Sequence, residues 1–99
     1  MPVTEAVIKK VAADTGVSVE ELAISGLLAF LREKKKKVML ERLDVLARYA
    51  VPSVDWLEKK IKNNEIAEHP AWEDLILLEN LESSIALIDE DINTIQESS

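Results

Sequence analysis

The clearest alternation of apolar and polar positions lies in the last third of the chain. Leu78, Leu81, Ile85, Ile88, Ile92 and Ile95 recur at spacings of 3-4-3-4-3, the a/d repeat of a coiled-coil seam. Immediately before it, Leu75-Ile76-Leu77-Leu78 places four apolar residues in succession. At about 100° per residue such a run wraps most of the way round a helix and leaves no face for water. Acidic residues flank the run on both sides, which excludes a membrane span. The pattern predicts a helix over residues 70–96, with Pro70 at its first position and Glu73 and Asp74 in its early turns.

Three further helices follow from caps and breakers. Thr4 is placed as the N-cap of a helix over 4–14, apolar at Val7, Ile8, Val11 and Ala12, and Thr15-Gly16 ends it. Ser18-Val19-Glu20-Glu21 is a capping box, with Val17 and Leu22 set as a hydrophobic staple. From there no breaker occurs before Pro52, so the pattern predicts one helix over 19–50, about 45–50 Å long. Its apolar stripe runs through Leu22, Ile24, Leu27, Leu28, Leu31, Val38, Met39, Leu43, Leu46 and Tyr49-Ala50, and Gly26 is a lone cost within it. Pro52-Ser53 opens a short helix over 53–62 with Val54, Trp56, Leu57 and Ile61, which Asn63-Asn64 closes.

No segment alternates with period two for long enough to make a strand. The predicted fold is all-α and a single domain over 1–99: two long antiparallel helices plus two short ones. Helices of that length exceed the width of a compact 99-residue domain, whose radius of gyration is about 13 Å. The long helices must therefore pair lengthwise with protruding ends. A protruding a/d seam calls for a second chain, so the bundle is expected to be completed by oligomerisation, with a homodimer favoured. On this reading Leu78 and Leu81 begin the seam, while Leu75, Ile76 and Leu77 face the basic helix or the short helix around Trp56. The apolar turn becomes the junction between the protomer's own core and its oligomer or partner interface, which comprises Trp72, Leu75, Ile76, Leu77, Leu78, Leu81, Ile85, Ile88, Ile92 and Ile95.

Charge changes this picture more than overall composition does. The apolar fraction of 47% is ordinary for a globular chain. The start, MPVTEAVIKK, lacks the apolar run of a signal peptide, and the chain contains no cysteine; together these point to the cytoplasm. The net charge is −7, but it is segregated: residues 1–62 hold all 12 Lys and Arg with 9 acids, and residues 63–99 hold 10 acids and no Lys or Arg. Such halves pair with each other, or the acidic one faces a basic partner. Glu79, Glu82, Asp89, Glu90 and Asp91 form the candidate acidic docking face. A shared metal there is disfavoured, because carboxylate bundles use Glu-x-x-His on facing helices and the one histidine, His69, sits in a loop.

Lys34-Lys35-Lys36-Lys37, with Arg42, could hold phosphates, which makes a nucleic-acid-binding regulator the alternative function. The plainer expectations are a solvated face or pairing with the acidic helix, supported by Glu33–Lys37, Lys37–Glu41 and Asp44–Arg48 at i,i+4 spacing. A helix-turn-helix reading of the first two helices fails on chemistry. A recognition helix opening Val19-Glu20-Glu21 brings carboxylates to phosphates and no Arg, Asn or Gln to base edges. Trp56, Trp72 and Tyr49 flank the two loops, where large amphipathic rings are expected to seal a corner of the core. No nucleophile–base set, glycine-rich phosphate loop or zinc spacing occurs, so neither enzymatic activity nor a cofactor is expected.

Two stretches resemble known families. VIKKVAADTGVSVEELAISGLLAFLREK, residues 7–34, is similar to the helix-turn-helix half of ribbon-helix-helix proteins, a fold many antitoxins carry. Only Met1-Pro2-Val3 stand where that family has its DNA-reading strand. RYAVPSVDWLEKKIKNNEIAEHPAWEDLILLENLE, residues 48–82, resembles a pattern in short archaeal antitoxin-like proteins encoded beside small toxin-like partners, with Pro52 and Asn64 as departures. The resemblance implies a protein whose task is to bind and mask a basic, toxin-like partner, here with the acidic last helix.

Overall fold

A computed structural model of the protein describes residues 4–98; Met1-Pro2-Val3, where the resembling family has its strand, lie outside them. Among the described residues there are four helices and no strands: α1 (Glu5–Thr15), α2 (Val19–Arg48), α3 (Val54–Lys62) and α4 (Glu68–Ser98). The fold is all-α, and none of these helices is long and apolar enough to cross a membrane.

Local chemistry sets the boundaries. Thr4, Ser18 and Ser53 have extended backbones, and their hydroxyl oxygens accept from the N–H groups of Val7, Glu21 and Trp56. Gly16 takes the left-handed conformation (φ 76°) that closes α1. Ala50 (φ 53°) and Asn64 (φ 58°) occupy the same region after α2 and α3. Asparagine tolerates that region well, whereas alanine is strained there. Within α4 the backbone of His69 is extended, so the unbroken helix starts at Pro70.

α2 and α4 run antiparallel along most of their length. Three ion pairs fix the register: Lys35–Asp89 at 2.7 Å, Arg42–Glu82 at 2.9 Å and Arg48–Asp74 at 3.8 Å. A step of seven residues along α2 from Lys35 to Arg42 is matched by seven back along α4 from Asp89 to Glu82.

The core has two parts. At one end the C-terminal turns of α2, the whole of α3 and the start of α4 enclose Val45, Leu46, Val51, Leu57, Ile61, Ala71, Leu75 and Leu78. Further along, Val38 of α2 meets Leu81 and Ile88 of α4, with Leu31, Ile85 and Ile92 packed around them. Beyond that, α1 and the first turns of α2 form a wing in which Ala12 is the one buried residue.

This packing corrects the expectation for the seam. Within the protomer, Leu78, Leu81, Ile85, Ile88 and Ile92 pack against the chain's own α2. Leu75 and Leu78, at 2% and 0% exposure, lie in the protomer's core, as do Leu81 and Ile88. Ile76 and Trp72, at 49% and 48%, are exposed. The apolar run therefore is not wrapped on all sides: Leu75 and Leu78 turn inward, Leu77 bridges the two core clusters, and Ile76 faces water. Met39, Leu43 and Leu27, placed on the inward stripe by pattern, are exposed as well. The 3-4 spacing that faces α4 runs through Leu31, Lys35, Val38, Arg42 and Val45, and it carries the aliphatic stems of two cations.

Candidate functional site

The acidic face of α4 divides in two. Asp74, Glu82 and Asp89 project toward α2 and make the three ion pairs. Glu79, Glu90 and Asp91 are exposed and make no ion pair among the described residues. Trp72, Ile76, Glu79, Ser83, Leu87 and Glu90 follow one another at spacings of 4-3-4-4-3, so they share one face of the helix, and every one is exposed. Three of the six are large apolar side chains, with Leu87 at 62% exposure. A face that carries Trp, Ile and Leu beside two carboxylates exposes more apolar surface than contact with water favours.

The N-terminal end of this ridge is shaped by α3. Trp72 lies over a hollow shared with Ile61, Lys62, Asn64 and Glu68. It is half-exposed, as is Trp56, whose ring carries Lys59 Nζ 5.4 Å from its centroid. Neither tryptophan seals the core; Tyr49 alone of the three loop aromatics packs against it. The Tyr49 hydroxyl donates to Asp74, whose other oxygen faces Arg48. Burial, then this hydrogen bond and the charge of Asp74, push the phenol from 10.0 up to about 12, with Arg48 pulling the other way. This small network pins the end of α2 to the start of α4. The pattern of apolar positions did not reveal it, because Tyr49 and Asp74 are 25 residues apart in sequence.

The basic segment is also divided. Lys35 and Arg42 are bound to α4, which leaves Lys34, Lys36 and Lys37 exposed. The i,i+4 pairs expected along α2 do not form among the described residues: Arg48 reaches Asp74 instead of Asp44, and Lys37 meets neither Glu33 nor Glu41. Exposed pairs of that spacing do form on α1 and α3, as Lys9–Glu5, Lys10–Asp14 and Lys62–Glu58, each worth only about 0.3–0.5 kcal/mol. His69 Nδ1 lies 2.7 Å from Glu73 Oε1 in open solvent. Among the described residues no three His, Asp or Glu side chains converge where they could hold a metal ion.

A family model described as the Uncharacterized protein MJ0235 family matches residues 1–98. The chain belongs to the MJ0235 family. For this member no curated protein and no solved structure gives a significant match. The match spans both halves of the chain, so the wing, the three-helix corner and the α4 ridge all belong to one family unit.

Proposed function

We propose that this MJ0235-family protein is a non-enzymatic interaction module, antitoxin-like in action, whose outward α4 face docks on and masks a basic protein partner. The observation that carries this reading is the exposed stripe from Trp72 to Glu90 on a helix whose inward face is already filled by α2. Trp72, Ile76 and Leu87 act as anchors that exclude water from the contact. Glu79, Glu90 and Asp91 draw in and orient the basic surface, and their charge stands in for the phosphates that such a surface otherwise holds. Glu82 and Asp89, expected on the same docking face, instead serve the protomer by fixing the register of α2 against α4. The preference for a protein partner over nucleic acid is supported by the engagement of Lys35 and Arg42 with Asp89 and Glu82 and by the net charge of −7.

Co-expression with the product of the adjacent gene tests the proposal. The partner is expected to co-purify, to be released by moderate salt and to have its effect on growth relieved. Failure to co-purify, with no relief of growth, contradicts it.

A further inference from the structure

The wing poses a separate question. Val7 and Val11 of α1 and Val19, Leu27 and Phe30 of α2 are all exposed, Phe30 at 65%. An 11-residue helix anchored by one buried alanine is marginal in water. The molecule as a whole measures 60 × 30 × 18 Å, with 7202 Å² of accessible surface. A compact monomer of this mass exposes about 1,500 Å² less, whereas a stable dimer needs about 800 Å² from each partner.

Three features of α2 indicate what covers the wing. Val19, Ala23, Leu27 and Phe30 lie on one exposed face, and Lys34 continues it by one turn. Glu20 borders the same face at the opposite end, and neither it nor Lys34 has an ion-pair partner among the described residues. Laid antiparallel about a two-fold axis near Leu27, two such helices bring Glu20 of each to Lys34 of the other, with the apolar positions between them. A parallel arrangement sets like charges together instead. Gly26 sits at that crossing. A Cβ there meets nothing within 4 Å in the lone protomer, so the protomer's own packing gives no reason for glycine inside a helix. Close approach of a second helix does.

We infer that a second copy of this chain packs on the wing, α2 against α2 in antiparallel fashion through Leu27 and Phe30, with reciprocal Glu20–Lys34 pairs and Gly26 at the crossing. One self-complementary patch then closes both protomers and leaves no open end for further growth. It gives the lysine segment a structural task without nucleic acid, and it leaves the α4 ridge free.

Sedimentation of the full chain at low to high micromolar concentration tests this, with circular dichroism confirming that each variant keeps its helices. The wild type is expected to sediment as a dimer. Phe30→Glu should weaken self-association at least tenfold, roughly the factor that 1.4 kcal/mol represents. Glu20→Lys and Lys34→Glu should each weaken it several-fold, and the two together should restore it. Gly26→Ala should weaken the dimer although alanine favours the helix. A monomer at every concentration overturns the inference. So does a dimer indifferent to Phe30→Glu, or a double charge exchange that associates no better than its single members. None of these readings depends on the α4 partner, so failure here and failure there are distinguishable.

Discussion

At Ala50 the chain takes a left-handed backbone, φ 53°, so that α2 can end and turn toward α3. The N–H of Val51 then reaches back to the Leu46 carbonyl, and Lys60 Nζ donates to the Tyr49 carbonyl. Alanine is strained in this conformation, so Ala50→Gly is expected to raise stability by about 1 kcal/mol in urea denaturation. Tyr49 offers a second test beside it. Loss of its hydroxyl in Tyr49→Phe leaves the half-buried Asp74 short of a donor and should cost about 1–2 kcal/mol at neutral pH. The phenol holds its proton more tightly when folded, with its pKa up from 10.0 to about 12. Its contribution is therefore complete below pH 10 and lost as pH rises toward 12. Over that interval the wild type should lose more stability than Tyr49→Phe, and the two curves should converge. Neither feature was legible in the pattern of apolar residues, since a strained turn and a 25-residue contact leave no periodic trace.

At the scale of the elements, α4 shows what a periodic pattern does and does not determine. Spacing at Leu78, Leu81, Ile85, Ile88 and Ile92 identified a helix with one strongly apolar face, and the structure packs these residues against α2. The same spacing could not say whose helix lies opposite. That depended on α3 folding α4 back along α2, an outcome of the corner packing around Leu57 and Ile61. The run 75–78 is the sharper case. Four apolar residues cover most azimuths of a helix, so only packing decides which are buried. Leu78→Ala, at a fully buried site, should cost about 3–4 kcal/mol, whereas Ile76→Ala two residues earlier should cost less than about 1 kcal/mol. Equal losses at both positions would mean that Ile76 is covered in the folded protomer. The ion pairs between α2 and α4 set register more than stability. Both Arg42 and Glu82 are partly solvated, so a double-mutant cycle should give a coupling of about 0.5 kcal/mol that disappears in high salt.

At the scale of the whole molecule, the radius of gyration of 19.6 Å exceeds the 13 Å or so of a compact chain of this length. Length and helix pattern already implied this elongation, because two helices of about thirty residues fit no smaller envelope. Segregation of charge was legible too, but its division was not. Of the five acids that read as one face, Glu82 and Asp89 pair with α2, and Glu79, Glu90 and Asp91 face outward. α4 thus has an inward face that builds the fold and an outward face that builds nothing within the protomer. The double variant Ile76→Lys/Leu87→Lys separates the two faces, with thermal unfolding and capture of the adjacent-gene product read on the same full-length protein. Both residues are half-exposed or more, so the unfolding midpoint is expected within a few degrees of wild type while the partner is no longer retained. A variant that unfolds far below wild type would show that the outward face builds the fold, and one that retains the partner as well as wild type does would show that the partner docks elsewhere.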